Sequence, residues 1–147
     1  MKFENLSDKT ILVTGGAGFI GSEYIRRRNF FQDFKKIWIL DKLTYAADLS
    51  RIDDSLANSK IELIQADLCE TSKYRSAINE ADLVVHFAAE SHVDRSISNG
   101  LPFVETNVVG TYSLLEAARN SEVERVLVVS TDEVYGSIQE DRLGQAG

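Results

Sequence analysis

The chain has 147 residues, enough for one domain with a buried core. Sixteen basic against twenty-three acidic side chains leave a net charge of −7, which argues against sequence-independent nucleic-acid binding, because that needs a basic footprint. No apolar run approaches the length of a bilayer span, the polar segment from Met1 to Lys9 is no secretory signal, and the lone Cys69 permits no internal disulfide; together these predict a cytoplasmic protein without a membrane or nucleic-acid partner.

Apolar runs alternate with longer amphipathic stretches. Thr10 to Thr14 reads as a first strand, followed by a glycine-rich turn and a helix through Tyr24, Ile25 and Arg28. The basic cluster Arg26 to Arg28 fans around that helix and reads as a solvated helix end. Lys36 to Leu40 is a second strand. Leu49, Ile52 and Leu56 are spaced for one helix face. Ile61 to Gln65 is a third strand, and Cys69 after it reads as a small buried side chain. Tyr74, Ala77, Ile78 and Ala81 mark a helix, and Leu83 to Phe87 a fourth strand, in which His86 reads as a packed residue. Pro102 stands near a helix start. Phe103, Val104, Asn107, Val108, Thr111, Leu114, Leu115 and Ala118 are predicted on that helix's inner face. Arg125 to Val129 reads as a buried fifth strand ending in a polar cluster, Ser130 to Gly136. Strands alternating with helices predict an α/β fold, a doubly wound parallel sheet of the Rossmann type with its first five strands in the order 3-2-1-4-5. Its ligand site belongs at the carboxyl ends of the strands.

Thr14 to Gly21 reads TGGAGFIG, with Gly15, Gly18 and Gly21 three apart. The first glycine permits a tight turn, the second lets backbone approach a pyrophosphate, and the third packs helix against sheet. The helix amino terminus then offers free N–H groups to phosphate oxygens. Asp41 ends the second strand, where a carboxylate accepts hydrogen bonds from ribose hydroxyls and repels a 2′-phosphate, favouring NAD over NADP. Lys42 beside it pulls the other way. No Gly-Lys-Ser/Thr follows the turn, which excludes the mononucleotide phosphate loop. Asp67, after the third strand, is either a turn residue or an acceptor for an adenine amino group. Ala88 and Ala89 are small enough to pack against a neighbour or a cofactor. His86 and His92 share no metal-ligand spacing, and no metal site is predicted.

The glycine pattern, DKLTYA at 41–46, AAESHVDRSI at 88–97, ETNVVGT at 105–111 and STDEVYG at 130–136 closely resemble the dTDP-glucose 4,6-dehydratases of the extended short-chain dehydrogenase/reductase superfamily. The resemblance runs from about Thr10 to Gly136. It implies NAD as cofactor, dTDP-glucose as the nucleotide-sugar substrate, and a homodimer for the full-length enzyme. It also implies roles residue by residue. Phe19 and Ile20 lie over the pyrophosphate, Asp41, Lys42, Leu43 and Thr44 hold the adenosine ribose, and Asp67 and Leu68 contact adenine. Phe87, Ala88, Ala89, Glu90, Ser91 and Thr106 line the path to the nicotinamide, and Ser91 and Thr131 touch the sugar, Thr131 also counting among the catalytic residues. Asp132 is the general acid and Glu133 the general base, two carboxylates whose pKa values must be held apart.

The family's C4 oxidation also uses a tyrosine with a lysine four residues on. Tyr24, Tyr45, Tyr74, Tyr112 and Tyr135 are followed at that spacing by Arg28, Leu49, Ile78, Glu116 and Gln139. The expectation is therefore residues 1–147 as an incomplete NAD-binding domain, either a fragment or a natural truncation, with the nucleotide-sugar-binding region absent and little activity of its own. Two other readings stand beside the dehydratase: a related epimerase or decarboxylase, and a non-catalytic NAD-binding module.

Overall fold

The computed structural model describes residues 6–92 and 97–131, together with Val134 and Gly136. In chain order the elements are β1 (Thr10–Thr14), α1 (Phe19–Phe31), β2 (Lys36–Asp41), α2 (Asp53–Leu56), β3 (Ile61–Gln65), α3 (Thr71–Glu80) and β4 (Leu83–His86). A continuous helical stretch follows, made of α4 (Leu101–Phe103), a π-helix (Val104–Gly110) and α5 (Thr111–Arg119), and β5 (Arg125–Val128) comes last. The strands form one parallel sheet in the order β3-β2-β1-β4-β5, the order the alternating pattern predicts.

All five residues of β1 are buried, because it is central and covered on both faces. Successive strand side chains point to opposite faces, so the sheet divides the core in two. Leu12 joins Leu40, Tyr74, Ile78, Val84 and Leu114 on the face covered by α3 and α5. Ile11 and Val13 join Ile25, Ile37, Ile39 and Ile52 on the face covered by α1 and α2. Each such side chain contributes about 1.5–3 kcal/mol by leaving water. The arginine cluster is only partly the solvated helix end expected: Arg26 and Arg27 are exposed ahead of the last turn of α1 and pair with Glu23, while Arg28, alone in that turn, is half-buried and pairs with Asp33.

Four expectations are corrected. Leu49, Ile52 and Leu56 do not share one helix. A 3-10 turn (Leu49–Arg51) opens under an Asp48 cap to the Ser50 amide, Ile52 breaks from helical geometry, and α2 starts after it, so Ile52 is buried while Leu49 is exposed. Cys69 is exposed rather than buried. A turn puts Leu68 in the core instead, with the Cys69 amide donating to Asp67 Oδ1. The long helical stretch buries Gly110, Leu114 and Ala118, while Val104, Val108 and Leu115 face outward. A π turn closes i→i+5 and shifts the phase of everything before it, so a face read at α spacing slips. Finally, β5 is mostly exposed. It is an edge strand pairing only with β4 among the described residues, and Val126 alone of its side chains packs on the core.

Candidate functional site

The carboxyl ends of β1, β2, β3 and β4 open onto one cleft, the place where open α/β sheets bind ligands. Gly15 turns the chain out of β1 at φ 68°, a left-handed conformation that favours glycine. A Cβ there would stand 2.6 Å from the Ala88 amide nitrogen, so the glycine is required by conformation and by space. At Gly21 a Cβ would collide with the Gly15 carbonyl oxygen. The turn delivers α1 with Gly18 as its N-cap, no side chain capping the first turn and no acidic residue in it. Its first amides point out with the positive end of the helix dipole, beneath the exposed side chains of Phe19 and Ile20.

Asp41 ends β2 opposite this turn. Its Oδ2 accepts the Ala17 amide at 2.9 Å and its Oδ1 the Leu43 amide at 2.8 Å. Each carboxylate oxygen has a further lone pair to offer. Leu43, at φ 58°, turns away from the cleft and packs on the core beside α1, while Lys42 and Thr44 line the cleft. Lys42 Nζ lies 2.6 Å from Asp67 Oδ2. The Asp67 hydrogen bond keeps the Lys42 ammonium charged above its ordinary range. Burial alone would raise the Asp67 carboxyl, but the Cys69 amide and Lys42 outweigh it and hold it below the usual carboxylate value.

Of the residues marked by sequence, the cleft brings together Gly15, Gly18, Asp41, Lys42, Thr44, Asp67, Leu68, Phe87, Ala88, Ala89, Glu90 and Thr106. Phe19, Ile20, Gly21, Leu43, Ser91 and Thr131 do not line it. Leu40, Ala46, Ala47 and Ala66 do, and nothing in their residue type marked them. The two lips of the cleft are tied by a hydrogen bond from the Tyr45 hydroxyl to Glu90 Oε2, 2.9 Å.

A second cavity adjoins the first beyond β4 and β5, with Ser91, Thr131, Ala88, Asn107 and Thr111 in its wall. Asn107 clamps the loop after β4, donating to the Glu90 carbonyl at 2.9 Å and accepting the Glu90 amide at 2.8 Å. Below it the buried His86 bridges two hydroxyls, Nδ1 to Thr14 Oγ1 at 2.6 Å and Nε2 to Thr111 Oγ1 at 3.0 Å. Burial pushes the His86 pKa down, which favours the neutral ring, and each hydroxyl has a ring nitrogen as partner. Sequence reading took His86 as packing and gave Asn107 no polar role. Asp132 and Glu133, the expected acid and base, lie outside the described residues, as do Val93 to Ser96 and Tyr135.

The family model for GDP-mannose 4,6 dehydratase matches residues 12–145. The chain belongs to this family. A dTDP-glucose 4,6-dehydratase from Streptomyces antibioticus is 47% identical to this dehydratase-family chain over an alignment of 134 positions that covers 88% of the chain and 39% of the relative. The dTDP-glucose 4,6-dehydratase DesIV from Streptomyces venezuelae, solved with NAD and TYD bound, superposes with a TM-score of 0.82 at 42% identity, covering 89% of this chain and 42% of DesIV. A UDP-N-acetylglucosamine 4-epimerase from Methanobrevibacter ruminantium matches at 27% identity and TM-score 0.80, over 95% of this chain and 43% of the epimerase. The chain thus spans about 40% of the length of the relatives it matches.

Proposed function

We propose that residues 1–147 are the dinucleotide-binding part of a cytoplasmic nucleotide-sugar 4,6-dehydratase that turns dTDP-glucose into dTDP-4-keto-6-deoxyglucose with a resident NAD. The observation that carries the reading is Asp41 at the end of β2, facing an uncapped, glycine-lined helix start across one cleft. The donor set fits the cofactor. The first amides of α1 suit a pyrophosphate, and the Asp41 oxygens suit two ribose hydroxyls. Asp67 and Leu68 border the adenine end, and Phe87 to Glu90 with Thr106 the nicotinamide end. When bound, NAD supplies a hydride acceptor for C4 of the sugar and the donor that returns the hydride to C6.

The remaining chemistry belongs to the chain. Ser91 and Thr131 border the adjoining cavity and hold the sugar. Glu133 takes the C5 proton and Asp132 protonates the departing C6 hydroxyl, so one carboxyl is ionised while its neighbour is protonated. An acid that expels a hydroxyl is a need of dehydration and not of epimerisation, which sets this reading above the epimerase. The exposed apolar row of Val104, Val108, Tyr112 and Leu115 supports a homodimer in the whole enzyme.

Two measurements test the proposal. The 147-residue chain is titrated with NAD and NADP; folded protein that prefers NADP would sink the cofactor assignment. The same chain is assayed with dTDP-glucose and NAD. No turnover is expected, because it holds no Tyr-x-x-x-Lys to deprotonate the C4 hydroxyl, and activity above background removes that argument.

A further inference from the structure

Among the described residues lining the cleft, Lys42 is the one cation. It follows Asp41 directly, at the place where a basic side chain accommodates a 2′-phosphate. The fold does not leave it to that task. Asp67 Oδ1 is fastened to the Cys69 amide at 2.9 Å, which aims its other oxygen at Lys42 Nζ, 2.6 Å away. Glu105 adds further negative potential at the ammonium. A 2′-phosphate entering beside Asp41 would meet two carboxylates and a cation already neutralised.

We propose that Asp67 sets the cofactor preference of the cleft through Lys42: by holding the ammonium it withdraws the one cation among the described lining residues that a 2′-phosphate could use, so NAD is preferred to NADP. This rests on the dinucleotide reading above and assigns Asp67 a task beyond bordering adenine. NAD and NADP differ only at the ribose 2′ position. Contacts to adenine, pyrophosphate and nicotinamide therefore cancel in the ratio of their dissociation constants, and the ratio isolates what Lys42 is free to do.

The experiment titrates the whole 147-residue chain with NAD and with NADP, before and after Asp67→Asn. Asparagine keeps an acceptor for the Cys69 amide and removes the carboxylate charge that holds the Lys42 ammonium. The ratio of the NADP to the NAD dissociation constant is expected to fall about tenfold, the order of releasing one exposed ion pair next to a phosphate. Adding Lys42→Met to Asp67→Asn should return the ratio to its starting value. Asp67→Ser, which also keeps a short acceptor, repeats the measurement if the asparagine variant folds poorly. A ratio within about twofold of the unaltered chain in either folded variant overturns the proposal while leaving NAD binding intact. An unaltered chain that binds neither dinucleotide overturns the cofactor reading and this inference with it.

Discussion

Asp41 has two backbone amides to hold before any ligand arrives. Ala17 belongs to the glycine turn and Leu43 to the loop after β2, so one carboxylate joins the two walls of the cleft and still faces into it. Asp41→Ala is expected to weaken NAD binding about a hundredfold, roughly 3 kcal/mol for two charge-assisted hydrogen bonds, by titration calorimetry. It should also lower the thermal midpoint of the ligand-free chain, which a ribose contact alone would not do. A loss of affinity under about fivefold would leave Asp41 with only its structural task. His86 makes a second prediction. Its folded pKa lies below the ordinary value of about 6.5, so the unfolded chain binds the proton more tightly. Its contribution to stability is complete above about pH 6.5 and is lost as pH falls towards the folded pKa. Urea midpoints between pH 5 and 7.5 should fall with acid in the unaltered chain, and His86→Gln should remove part of that slope; equal slopes would count against it. Asp41 was legible in the sequence because a carboxylate at a strand end after a glycine turn is a local pattern. The hydroxyl partners of His86 were not, because Thr14 and Thr111 come from β1 and α5, and only the sheet order brings them to one ring.

The π-helical turn is the element that sequence periodicity could not reveal. An i→i+5 turn carries the same residues as an α turn and differs only in which side they face, so Val104 and Val108 were expected inside and stand outside. The strands were legible, since apolar runs bounded by turn residues need no phase. What the π turn brings is Asn107, both ends of whose amide close on the Glu90 backbone. Asn107→Ala should destabilise the chain by about 1 kcal/mol for a pair of exposed hydrogen bonds, read from denaturant unfolding. Amide exchange at Glu90 should quicken in the same variant while exchange in β1 stays as it was. Unchanged exchange at Glu90 would show that the loop is held by something else.

Across the described residues, the sheet is well covered at β1 and open at β5. Leu127 and Val128 of β5 and Val129 just after it are exposed, and among the described residues β5 is an edge strand, a template for pairing with another chain. The 147-residue chain should therefore self-associate with rising concentration in size-exclusion chromatography with light scattering, and Leu127→Lys should lessen this. A monomer at every concentration would refute the argument. The central place of β1 has a consequence for the route by which the chain reaches its native state. On one side β1 is joined to β2 close by in sequence, as the Ala17 to Asp41 bond shows with a separation of 24. On the other it must find β4, and Thr14 meets His86 across a separation of 72. Closing a loop three times longer costs about 1 kcal/mol more in chain entropy, so β1, β2 and β3 have reason to assemble first and β4 and β5 to dock onto a formed edge. Leu12→Ala should slow refolding in stopped-flow mixing. Val126→Ala should leave refolding nearly unchanged and hasten unfolding, the signature of a strand that joins after the barrier has been crossed.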